Sequence, residues 1–166
     1  MDVYTRIEPF LLWLEETRIA AAVRESPLLF PWVESLHVLA IALLVGTIAV
    51  VDLRLLGVAS RERPVTRLLA EILPFTWVAF IGAAITGALM FVSQALHYAT
   101  NVPFLWKSAL LGLALINLLV FHRVTARTIE RWDTGPALPV AARLAGGASL
   151  AIWIGVVAFG RWIGFT

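Results

Sequence analysis

The sequence predicts an all-α integral membrane protein, a four-helix bundle preceded by an N-terminal amphipathic interfacial helix. Three observations predict it. Hydrophobic residues make up 60% of the 166 residues and charged residues 14%, against an apolar share of about 45–50% in soluble domains. Four apolar stretches are each long enough to cross ~30 Å of hydrocarbon. Trp and Arg gather at the ends of those stretches, where interfacial rings and topology-setting cations belong.

Residues 1–25 form the first unit. From Val3 to Arg24 the apolar residues Ile7, Phe10, Leu11, Leu14, Ala21 and Ala22 recur with helical spacing, while Glu8, Glu15, Glu16 and Arg18 fall elsewhere around the wheel. Such a helix lies on a membrane surface or packs as a lid or oligomer contact on the bundle. Its acidic and aromatic start lacks the basic-then-apolar order of a cleavable signal peptide.

Residues 26–166 form the four-span unit. Ser26-Pro27 reads as an N-cap followed by proline at the first helical position, with Pro31 bending the start. The first span, about residues 31–57, has no Asp, Glu, Lys or Arg between Leu36 and Val51 and closes on Asp52-Leu53-Arg54. The second span is expected at about 72–98, with Gly82 and Gly87 along it and Gln94 and His97 at its exit. Asn101-Val102-Pro103 starts the third, about 104–122, which carries Lys107 and Asn117. The fourth, about 144–162, spaces Gly147, Ala151 and Gly155 four apart, a small-residue stripe of the kind that lets helices approach closely.

Two loops on one side hold Arg54, Arg61, Arg63 and Arg67, and Arg123, Arg127, Arg131 and Arg143, eight of the thirteen basic residues. By the positive-inside rule that side is cytoplasmic, so both termini are expected outside, in the periplasm of a bacterial inner-membrane protein. Trp32, Trp106 and Trp162 then mark the outer interface, and Trp77 and Trp132 the inner one. The basic residues form no stripe for phosphates, which argues against nucleic acid as a partner. The absence of cysteine excludes thiolate-held iron–sulfur clusters and covalent haem attachment. The bilayer is the expected partner, together with further copies of the chain through the small-residue faces of the second and fourth spans.

The candidate chemistry rests on the three histidines, because an ionisable group within a span is costly and marks a functional site by default. His37 and His97 fall near the outer ends of their spans. If offset helices bring them level, by roughly one turn or ~5.4 Å, they suit the two axial positions of a b-type haem. Lys107 and Arg161, on the same side, can meet its propionates. His122, near the inner face, is the candidate for a second haem or for another metal contact, though it lacks a partner histidine. Glu34 stands three residues before His37, half of a Glu-x-x-His device, and with His97 would make a copper or zinc site. These residues also have plain structural uses: an intramembrane histidine can join helices, long cations can anchor at the interface, and Asn117 can make a packing hydrogen bond.

The runs FPWVESLHVLAIALLVG, VDLRLLG, LHYATNVPFLWK and INLLVFHR, covering about Phe30 to Arg123, resemble a family of small bacterial four-helix inner-membrane proteins of unknown function. The layout is similar to b-type cytochrome and copper-resistance D type bundles, which hold haem or copper by histidines. That resemblance implies ligand roles for His37 and His97, with His122 as a further candidate. The expected function is therefore electron transfer or redox sensing by a membrane haem protein with an unidentified redox partner. The alternatives are a copper or zinc protein using Glu34, His37 and His97, and an accessory subunit without cofactor. No assembled nucleophile and base or phosphate loop points to an enzyme.

Overall fold

In the computed structural model of the protein, residues 3–133 and 138–166 are described, with side chains from Arg6 onward. Every regular element among them is helical. Two short helices, α1 (Val3–Glu15) and α2 (Arg18–Glu25), precede the long α3 (Leu29–Leu56) and α4 (Val65–Ser93). A short α5 (Ala95–Thr100) leads into α6 (Val102–Val120), a π-turn over Phe121–Thr125 and the brief α7 (Ile129–Trp132), and α8 (Val140–Trp162) completes the chain. Four helical stretches, 29–56, 65–93, 102–132 and 140–165, are long and apolar enough to cross a membrane. They fit a multi-pass membrane protein.

Local chemistry explains most boundaries. The expected single N-terminal helix is two, because Thr17 takes an extended conformation and its hydroxyl accepts from the Ala20 N–H, capping α2. Leu28, not Ser26, holds the cap position of the next helix; Ser26 Oγ accepts from the Leu29 N–H at 3.2 Å from further back, and α3 starts at Leu29, so Pro27 lies outside it and Pro31 within its first turn. Gly57 ends α3 at φ 74°, where a side chain would be strained, and its N–H returns to the Arg54 carbonyl.

The second long helix departs from expectation at both ends. It begins at Val65, and Trp77 therefore lies about 18 Å along it, exposed in its middle rather than at an interface. It stops at Ser93, where Gln94 leaves helical geometry, so His97 and Tyr98 ride on the separate α5. Such a break leaves backbone groups without partners, and the N-terminal helices supply them. Arg24 donates to the Ser93 carbonyl at 3.3 Å and Glu15 accepts from the Leu96 N–H at 2.8 Å. The amphipathic segment thus clamps the α4–α5 break.

In packing order the long helices run α4, α3, α8, α6. At the end marked by exposed Trp32, Trp106 and Trp162, Phe91 of α4 stacks on Phe104 of α6 at 5.6 Å, with Tyr98 of α5 against both rings. At the opposite, arginine-rich end an apolar core gathers Leu55, Val65, Phe121, Trp132 and Ala142. Trp132, expected at an interface, is 6% exposed and belongs to this core. The small residues are used within the chain. Gly82 faces Ala40 and Gly87 faces His37 on α3, Gly147 faces Leu56, and Gly155 faces Leu110 on α6. Those faces are therefore occupied inside one copy.

Candidate functional site

At the tryptophan end, all four long helices contribute to one polar level. His37 of α3 is half-buried against α4, where its Nδ1 lies 2.9 Å from Thr86 Oγ1. The Thr86 hydroxyl donates its own proton to the Gly82 carbonyl at 2.6 Å. It is then an acceptor for His37 Nδ1–H, and among the described residues Nε2 has no side-chain hydrogen-bond partner. Gly87 makes this seat possible, since a Cβ there would stand 3.0 Å from His37 Cε1.

Lys107 of α6 lies half-buried across Gly160 of α8, its Nζ 3.7 Å from where a Gly160 Cβ would be. The last turn of α8 carries the negative end of the helix dipole, which suits an ammonium. The same ammonium is within electrostatic reach of His37. Among the described residues no carboxylate pairs with it. The arrangement therefore offers an imidazole nitrogen able to bind a metal and an unmatched positive charge able to bind an anion.

The other candidates do not join this level. His97 is exposed on α5, its ring edge-on to Tyr98. His37 meets α4 at Gly87, about 10 Å of helix before the break at Gln94, and His97 lies beyond that break. Glu34 is exposed and acts on Tyr98 through its charge. Burial and that charge together push the Tyr98 phenol above its ordinary value. Arg161 is exposed and lies over the Phe165 ring at 4.6 Å. His122 is exposed in the π-turn at the arginine end and donates from Nδ1 to the Leu118 carbonyl at 3.0 Å. Among the described residues no three His, Cys, Asp or Glu side chains gather as an ion would need, so Glu34, His37 and His97 do not form a three-ligand centre. Asn117 donates to the Ala145 carbonyl at 3.1 Å, a packing bond between α6 and α8.

The DUF6644 family, described as a family of unknown function, matches residues 26–166. The chain belongs to that family. No curated protein and no solved structure matches it. The DUF6644 match begins after α2, so His37, Thr86, Lys107 and Gly160 all lie inside it, while the clamp residues Glu15 and Arg24 lie outside.

Sequence reasoning missed a second polar group at the arginine end. Asp52 and Arg54, read as the charged close of a span, are 4% and 3% exposed. Arg54 donates to the carbonyls of Arg63 at 2.8 Å and Asp133 at 3.4 Å. Asp133 in turn accepts from the Thr66 N–H at 3.1 Å and pairs with its hydroxyl. It caps α4 from a distant loop, because Pro64 at the cap position has no side-chain acceptor. Thr86 was missed as well: inside an apolar run, a threonine signals no more than a hydroxyl bonded to its own helix.

Proposed function

We propose that this protein is a membrane haem protein of the b type in which His37 would hold the iron, serving electron transfer or redox sensing. The observation that supports the reading is the half-buried His37 imidazole, oriented through Nδ1 by Thr86, with the Lys107 ammonium near enough to act on it electrostatically. The donor set suits the group. Thr86 orients the imidazole through its other nitrogen, as hydrogen-bonded partners of metal-binding histidines do. Lys107 supplies the cation that a propionate needs. Bound there, haem would supply one-electron redox chemistry, and the role of this chain would be to fix the ring, hold the charge and exclude water.

His97, exposed on α5 beyond the break at Gln94, is not part of this donor set. A copper or zinc site has less support, because no third donor joins His37 among the described residues. The arginine distribution favours both termini outside a bacterial inner membrane, which puts the His37 level in its outer half.

The test is the optical spectrum of the detergent-purified protein from haem-replete cells, oxidised and then reduced with dithionite. A Soret band is expected in wild type and its loss in His37→Ala. Thr86→Val should weaken haem affinity about 10- to 100-fold, and Lys107→Gln should weaken it without abolishing the band. A colourless wild-type protein would overturn the haem reading. Retention of copper or zinc by that colourless protein would favour the metal alternative, and retention of neither would favour an accessory subunit.

A further inference from the structure

Asp52 lies in the last part of α3, shielded from solvent, and among the described residues its Oδ2 has no hydrogen-bond partner. Here α3 and α8 run close together: a Cβ on Gly146 would stand 3.0 Å from the Asp52 carbonyl oxygen and 2.9 Å from Leu55 Cβ. Ser149, one turn further along α8, brings its side chain to the Asp52 carboxyl.

Among the described residues no cation pairs with this carboxyl. Arg54, two residues on, points about 200° around the helix and is held by the Arg63 and Asp133 carbonyls. On α4, Arg67 and Glu71 are exposed and pair with each other at 3.0 Å. On α8, Arg143 is exposed. Leu55, three residues on from Asp52 along α3, belongs to the apolar core at the arginine end with Val65, Phe121, Trp132 and Ala142. An ionised carboxylate buried without a partner is strongly disfavoured, whereas the neutral acid needs a single acceptor for its O–H. A metal ion needs several oxygen ligands, and the described residues provide no such group. A proton needs one.

We propose that Asp52 is a proton-binding site, a carboxyl held neutral while α3 and α8 are closed on each other, which gives its proton to water at the arginine end when the core around Leu55 and Trp132 opens. The step is a simple dissociation, carboxylic acid to carboxylate plus a proton. It is independent of any cofactor at His37.

Infrared spectroscopy of the full chain in lipid nanodiscs, with carbon-13 aspartate, tests this. The chain has three aspartates, Asp2, Asp52 and Asp133. At neutral pH a protonated-carboxyl band that shifts with the label is expected, lost in Asp52→Asn. Asp52→Glu should return the band to its unlabelled position, a readout that serves if Asp52→Asn does not fold. Deuterium exchange of the band should be slow in wild type and faster in Trp132→Ala. No labelled carboxyl band in wild type at neutral pH, or one that survives both Asp52 substitutions, would overturn the site. Unchanged exchange in Trp132→Ala would overturn the route through the core.

Discussion

Replacing Gly146 by Ala would place a methyl group where α3 and α8 touch. The new Cβ would stand 2.9 Å from Leu55 Cβ and 3.0 Å from the Asp52 carbonyl oxygen, where ordinary van der Waals contact runs from 3.4 Å to 4 Å. Neither neighbour can turn away, since one is fixed to the backbone and the other is backbone. The two helices must part by a few tenths of an ångström instead. Overpacking of this kind costs about 1–3 kcal/mol, while alanine gains about 1 kcal/mol over glycine in a helix. Gly112 of α6 provides the reference, because a Cβ there meets nothing within 4 Å. Gly112→Ala should therefore be stabilising, Gly146→Ala neutral to destabilising, and the two should differ by about 1–3 kcal/mol. Reversible unfolding in mixed micelles with rising SDS, followed by far-ultraviolet circular dichroism, measures both on one scale. Equal stability of the two variants would refute the close α3–α8 contact, and with it the packing that encloses Asp52.

Glu15→Ala should free the Leu96 N–H and loosen the α4–α5 break by roughly 1–2 kcal/mol, a factor of about 5–30 in local opening; amide exchange over Ala95–Tyr98 reads this, and unchanged rates would disprove the clamp. Tyr98 should ionise above its ordinary value of 10.0, because burial and then the Glu34 charge both disfavour the phenolate. Its contribution to stability should be complete below the unfolded value and lost as pH rises through the higher folded one. Ultraviolet titration of a Tyr4→Phe background isolates it. Glu34→Gln should lower the midpoint, and a Tyr98 that titrates like a free tyrosine would show the ring to be solvated.

The long helices were legible because length and apolarity alone decide them, and the Asn101 cap because it acts through a neighbour in sequence. What local pattern cannot show is a backbone group satisfied from afar. No Pro or Gly marks the break at Gln94, and it persists because Glu15 and Arg24, 81 and 69 residues from their partners, take up the groups it exposes. Charges also misled at the start of α4, where Arg67 and Glu71 read as loop but pair across one exposed helix face.

The site was half legible for a related reason. His37 and Lys107 stand out because ionisable groups in apolar runs are costly wherever they point. Depth along the sequence then suggested His97 as the partner of His37, but depth carries no information about direction around a helix or about where a helix stops. Asp52 and Arg54 make the same point within one turn. Adjacent in depth, they face opposite sides of α3, so one finds two carbonyl acceptors and the other is left with an unfilled oxygen. A charge pair that reads as the hydrated end of a span is, once its directions are known, a structural arginine and a buried acid with separate roles.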